Sequence, residues 1–360
     1  MNTQPPAERK TGAFASALWI AAAFVVFSLV LWFVHRGPQQ EDLQFVVRAG
    51  ILRDLVAEDS LGRQALVSSL VVMPMPTLVA LLFVPFVSPH AYGLAYLYGL
   101  AMLLAFGILP LAALLRRMRI PASRAVSLVI LSVLAATVGA TSFSDALACI
   151  AFLLMALALD TDKRPMLRGL AGACYGFALF SHPAGIAISL LRLLFLARHS
   201  ILPGSSGERR AVAWIQGSCI VYAALIYIFL VWMIMGSASY SVRQTNPDMR
   251  ILLRRDNVQH ILQGVAAAYP ESAMVVNGHW GYLAEDVLNS RGGYRFIHIH
   301  HGNVPRWDSR PVVLVVPKKT NKLSVFAERT TPGLYARLGY LLLREDADFS
   351  YYTTSREGNK

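Results

Sequence analysis

Phe14-Ala-Ser-Ala-Leu-Trp-Ile-Ala-Ala-Ala-Phe-Val-Val-Phe-Ser-Leu-Val-Leu-Trp-Phe-Val34 contains no charged side chain. It is as long as the roughly 20 apolar residues a helix needs to cross a bilayer core of about 30 Å. Arg9 and Lys10 stand just before it, which predicts a cytoplasmic N-terminus by the positive-inside rule. No small-residue cleavage site follows, so the run reads as a retained first helix and not as a signal peptide.

Seven further apolar stretches extend this pattern, at about 66–88, 92–115, 125–141, 144–160, 165–182, 184–200 and 211–236. The composition agrees. Of 360 residues, 55% are hydrophobic and 15% charged, against about 25% charged in an average soluble domain. An ordinary soluble enzyme and a disordered chain are both excluded. The formal net charge of +12 is of a kind that nucleic-acid binders carry, but the basic residues cluster beside the apolar runs, where they orient helices. The expected partner is a bilayer, with no nucleic acid. Cys149, Cys174 and Cys219 all lie inside apolar runs and read as small packing residues.

The basic residues also predict a topology. Arg116, Arg117, Arg119 and Arg124 mark one cytoplasmic loop; Lys163, Arg164 and Arg168 mark a second; Arg192, Arg198, Arg209 and Arg210 mark a third. Two hairpin tips then point outward, Thr141-Ser-Phe-Ser-Asp145 and Phe180-Ser-His-Pro-Ala-Gly185. If 66–88 and 92–115 both crossed, the Arg116 loop would fall outside. Met73-Pro-Met-Pro76 breaks the first of them, so 66–88 reads as half-spanning or re-entrant.

The expected fold is a polytopic α-helical membrane protein with seven or eight transmembrane helices and a C-terminal soluble α/β domain. Its expected parts are a cytoplasmic head at 1–12, a transmembrane domain at 13–240 with an outer juxtamembrane helix at 41–57, and the soluble domain at 241–360. In that domain we expect helices near 248–268, 281–290 and 332–343, and strands at Ala273–Asn277, Tyr294–His300 and Pro311–Pro317. The exit of the last apolar run places this domain in the periplasm, although Arg243, Arg250, Arg254 and Arg255 just beyond it pull the other way.

Three outer segments carry candidate chemistry. After the first helix, Leu43, Val47, Ile51 and Leu55 share a helical face, with Gln44, Arg48 and Asp54 turned away, as in an interfacial helix. Glu41 and Asp42 stand at its start, where they serve either as a charged cap or as reactive carboxylates. Asp145 opens a helix at the first tip, as an N-terminal residue beside the capping candidates Ser142 and Ser144 or as a functional acid at the membrane edge. His182 marks the second tip, as an interfacial residue or a site residue. Arg48 and His182 suit an anionic headgroup whether by snorkelling or by substrate binding. In the C-terminal domain, His298, His300 and His279 suggest a metal site but lack a carboxylate or cysteine at ligand spacing, so no metal ligand is assigned.

The ordered set Glu41-Asp42-Leu-Gln-Phe-Val-Val-Arg-Ala49, Met73-Pro-Met-Pro-Thr77, Ser144-Asp-Ala-Leu-Ala148, and Gly169-Leu-Ala-Gly-Ala-Cys-Tyr-Gly176 through His182-Pro-Ala-Gly185 resembles the GT-C superfamily. These are polyprenyl-phosphate-sugar-dependent glycosyltransferases, and the likeness is to bacterial relatives of protein O-mannosyltransferases. The resemblance spans about residues 14–200.

It implies an inverting transferase in a bacterial inner membrane, moving a sugar from a polyprenyl phosphate to an envelope glycan, lipid or protein. Asp42, Glu41 and Asp145 would be the catalytic carboxylates, and Arg48 and His182 the phosphate-binding cations. The resemblance implies no definite cofactor and leaves room for a divalent metal held with the help of Asp145. A non-catalytic scaffold on the same fold, and a lipid-linked glycan polymerase or ligase, fit the same outer-face pattern.

Overall fold

The computed structural model describes residues 6–35, 43–58, 60–67, 73–120, 123–139, 144–162, 164–197, 205–236, 273–277, 296–299, 312–317, 340–345 and 349–354. The described helices are α1 (Pro6–His35), α2 (Leu43–Val56), α3 (Ser60–Val67), α4 (Pro74–Leu81), α5 (Tyr92–Arg117), α6 (Arg124–Gly139), α7 (Asp145–Asp160), α8 (Pro165–Leu179), α9 (Pro183–Ala197) and α10 (Ser206–Met235). The strands are β1 (Ala273–Asn277), β2 (Phe296–Ile299), β3 (Val312–Pro317), β4 (Tyr340–Glu345) and β5 (Phe349–Thr354).

Three helical stretches, Phe14–Val34, Pro89–Arg117 and Ser206–Met235, are long and apolar enough to cross a membrane. The chain is therefore a mostly helical protein that carries membrane-type helices. It divides into two compact units, one of residues 1–44 and 72–228, the other of residues 45–71 and 229–360.

In the first unit, side-chain contacts fix the helix directions. Arg124 donates to Ser16 Oγ at 3.1 Å, and Gly139 lies against Val34, so α1 and α6 run side by side in the same direction. Tyr96 meets Asp145, and Arg117 donates to the Ala158 carbonyl at 3.1 Å, so α5 and α7 are also parallel. The α8–α10 pair is parallel as well, because Gly169, Gly172 and Gly176 face Ile215, Gln216 and Ala223 in turn. A Cβ on Gly172 would sit 2.6 Å from the Gln216 Cα, a separation that only glycine permits. Small residues let apolar helices approach backbone to backbone where lipid supplies no hydrophobic drive for association.

The start of α10 is set by a reciprocal cap. Glu208 N–H donates to Ser205 Oγ at 3.3 Å, and Ser205 N–H donates to Glu208 Oε2 at 3.1 Å.

The stretch 66–88 is not one helix. α4 has only eight residues, about 12 Å at 1.5 Å per residue, and turns of 3-10 helix follow at Val84–Phe86 and Pro89–Ala91. Pro74 and Pro76 occupy its first turn, where a missing N–H is tolerated. The Met75 N–H between them donates to the Phe180 carbonyl at 3.0 Å, tying α4 to the end of α8.

The second unit contains α2, α3 and a five-stranded sheet of order β2-β1-β3-β5-β4. β1 pairs in parallel with both β2 and β3, while β5 is antiparallel to β3 and β4. The expected strands at 273–277, 294–300 and 311–317 match β1, β2 and β3 within the described residues. One expectation fails. Residues 340–343, read as the end of a helix, belong to β4, because Tyr340-Leu-Leu-Leu-Arg-Glu345 pairs with the aromatic and β-branched strand Phe349–Thr354. The expected helices at 248–268 and 281–290 lie outside the described residues.

The glycine contact yields a test. Gly172→Ala should destabilise the protein by about 1–3 kcal/mol through overpacking, while Gly217→Ala, whose Cβ would meet only Leu193 Cδ2 at 3.9 Å, should be close to neutral. Thermal unfolding of both variants in detergent, against the parent, reads the difference.

Candidate functional site

Helix direction in the first unit sorts polar chemistry to its two ends. Arg116, Arg117, Arg119, Arg124, Arg164, Arg168, Arg192, Arg209 and Arg210 all fall toward the end where α5, α7 and α9 finish and α1, α6, α8 and α10 begin. Among the described residues of this unit, no lysine or arginine falls at the opposite end. That opposite end gathers the start of α7, the start of α5, the α4–α8 contact and the α8–α9 tip, and therefore both Asp145 and His182.

Asp145 is fully buried. Tyr96 Oη donates to its Oδ1 at 2.7 Å, linking α5 to α7 across 49 residues of chain. Ser144, equally buried, makes no side-chain capping bond, and its carbonyl accepts from the Leu147 N–H instead. Asp145 stands in the first turn, where the helix dipole favours a carboxylate. The phenol thus fixes the orientation of the acid. With no exposed surface, Asp145 acts here by positioning.

His182 is half-buried, and its Nδ1 accepts the Ala184 N–H at 3.2 Å. That bond makes Nδ1 the acceptor and turns the ring toward the backbone of the tip. The neighbouring Ser181 is fully buried and donates to the Phe177 carbonyl at 2.7 Å.

The remaining candidates divide differently. Glu41 and Asp42 lie outside the described residues. Arg48 belongs to the second unit and is not turned outward as expected; it is fully buried, and Asp54 is nearly so. The buried residues of α2 are Val47, Arg48, Ile51, Leu52 and Asp54, which keep Val47 and Ile51 of the predicted stripe but widen it beyond what an interfacial helix would cover. Arg53 takes the exposed position and pairs with Asp54 at 3.0 Å. In the sheet, His298 stands on β2 opposite Val276 of β1; His279 and His300 lie outside the described residues. Among the described residues no three His, Cys, Asp or Glu side chains group as metal ligands.

A polar cluster that the loop-charge reading passed over lies at the arginine-rich end. Arg192 Nη2 lies 2.9 Å from the Asp160 carboxylate. Arg192 Nε and Nη2 also donate to Gln216 Oε1 at 3.1 and 2.9 Å. Gln216 Nε2 in turn donates to Asp160 Oδ1 and to the Arg168 carbonyl. Tyr175 Oη donates to Asp160 Oδ2 at 3.1 Å, and the Arg192 guanidinium lies 5.6 Å from the Tyr175 ring centre.

This cluster joins α7, α8, α9 and α10. It corrects the reading of Arg192 as a loop marker, since the residue lies within α9 and its side chain is 19% exposed. The available signal was its place in Leu190-Leu-Arg-Leu-Leu194, where a lone cation among leucines demands an anionic partner. Tyr96 had no such signal.

Compared with protein-family profiles, curated proteins and solved structures, the chain has no match.

Breaking the buried pair should be costly. Arg192→Met leaves the Asp160 charge without its cation, and the expected loss is about 3 kcal/mol. Adding Asp160→Asn removes the stranded charge while keeping one acceptor oxygen, for either Tyr175 or Gln216, and should recover part of that loss. A double-mutant cycle of unfolding midpoints in detergent checks both signs.

Proposed function

We propose that this protein is a multi-pass glycosyltransferase of a bacterial inner membrane, transferring a sugar from a polyprenyl phosphate to an envelope glycan, lipid or protein at the outer face. The observation that carries the reading is the sorting of the first unit's ends: arginines at one, Asp145 with Tyr96 and His182 at the other. The positive-inside rule assigns the arginine-rich end to the cytoplasm. Seven segments then cross, α1 and α5–α10, with α4 as a half-spanning element. The resemblance of residues 14–200 to the GT-C superfamily supplies the reaction class.

In this reading Asp42 is the general base. It takes the proton from an acceptor hydroxyl as that oxygen bonds to the anomeric carbon. The bond from that carbon to the phosphate oxygen breaks on the opposite side, with inversion, and its electron pair leaves with the phosphate. The resemblance assigns the developing phosphate charge to Arg48 or to His182, the latter as a neutral ring donating from Nε2, because its Nδ1 accepts the Ala184 N–H. Asp145, held by Tyr96, keeps the start of α7 in place beside the α8–α9 tip. The last apolar helix begins at the arginine-rich end, so the residues that follow it are assigned to the periplasm with the sheet.

A second reading, a non-catalytic scaffold on the same architecture, is favoured by one observation: the only carboxylate described at the outer end of the first unit, Asp145, is sealed from solvent.

The envelope glycan and lipid profile of a strain carrying Asp42→Asn separates the two. The transferase reading expects the profile of a full deletion, with one sugar missing and an undecorated acceptor accumulating. A profile matching wild type, beside a defective deletion strain, makes the protein a scaffold. Shortened glycan chains would instead indicate a polymerase.

A further inference from the structure

The end of α5 presents a cation in a backbone conformation that side chains disfavour. Arg119 has φ of +60°. The Ile120 N–H donates to the Leu115 carbonyl at 3.0 Å and the Arg119 N–H to the Arg116 carbonyl at 3.1 Å. This is the Schellman ending of a helix, with Arg119 at the left-handed position that glycine normally occupies. Stability alone would place glycine there.

The charge around this turn is lopsided. Arg116 donates one N–H to the Ala112 carbonyl and Arg117 one to the Ala158 carbonyl, so both are anchored over the ends of α5 and α7 with further donors on each guanidinium. Arg164 opens α8 close by, where Asp162 pairs with it at 3.2 Å. The Arg164 backbone N–H on Asp162 is the main cause of a carboxyl held below its usual range. Arg117 also lies near enough to lower the same carboxyl, which sets the Arg116–Ile120 turn beside the start of α8. Next to these arginines in the chain stand exposed apolar side chains, Met118, Ile120 and Met166, of which Met118 is 70% exposed.

A soluble anion would need only the cations. A lipid needs both, a phosphate against arginines and acyl chains against an apolar rim. We propose that the Arg116–Ile120 turn together with Arg164 is a docking site for the phosphate headgroup of an anionic phospholipid of the inner leaflet. This rests on the membrane reading of the chain and not on the transferase reading. Orientation during insertion requires positive charge somewhere in this loop, but it does not require charge at the left-handed position.

The test uses the full-length protein in a neutral detergent, with thermal unfolding recorded after adding phosphatidylglycerol, phosphatidylcholine or inorganic phosphate. Phosphatidylglycerol should raise the midpoint, and the other two should not. Arg119→Gly should unfold at a higher temperature than wild type without lipid, because glycine relieves the backbone. It should also bind phosphatidylglycerol about fivefold more weakly, the loss expected for one cation near a charged headgroup. Arg119→Lys should keep most of the lipid response, and Arg164→Gln should weaken it without the gain in stability.

An unchanged lipid response in Arg119→Gly and Arg164→Gln would reduce these arginines to topology signals and overturn the proposal. So would an equal response to inorganic phosphate, or to phosphatidylcholine. A lower midpoint for Arg119→Gly would overturn the claim that the arginine is held there against its backbone preference.

Discussion

One carboxylate organises the arginine-rich half of the helical unit. Asp160 receives Arg192, Gln216 and Tyr175, and Gln216 at the same time satisfies the Arg168 carbonyl. Four helices are tied at one point. Apolar helices in lipid gain little from burying more apolar surface, so partner choice and register must come from close packing and polar bonds. Both meet at Gln216, whose backbone lies against Gly172 while its amide completes the cluster. If α10 shifted by one residue on α8, the glycine contact and the amide bonds would be lost together. α7 carries the consequence to the other end, since its 16 residues span about 24 Å and deliver Asp145 to Tyr96.

The chain was legible where one constraint dominates. About 20 uncharged apolar residues read as a helix without ambiguity, and Val-rich runs such as 312–316 read as strands. Prolines at 74 and 76 told correctly that 66–88 would not be one helix. Legibility failed where two constraints compete. Tyr340-Leu-Leu-Leu343 suits a helix by residue type, and only pairing with a strand further along the chain makes it β. Arg48 suits an exposed position by charge, and its burial is set by neighbours that its own helix does not reveal.

The candidate site was half legible for the same reason. Asp145 and His182 reach a common end because charged loops alternate along the sequence, and alternation is visible in one dimension. Their partners are not. Tyr96 is one aromatic residue among apolar neighbours, and nothing local marks it as the donor to a carboxylate 49 residues away. Arg192 did carry a signal, but counting it as one more loop cation concealed that a cation inside a leucine run must be paired.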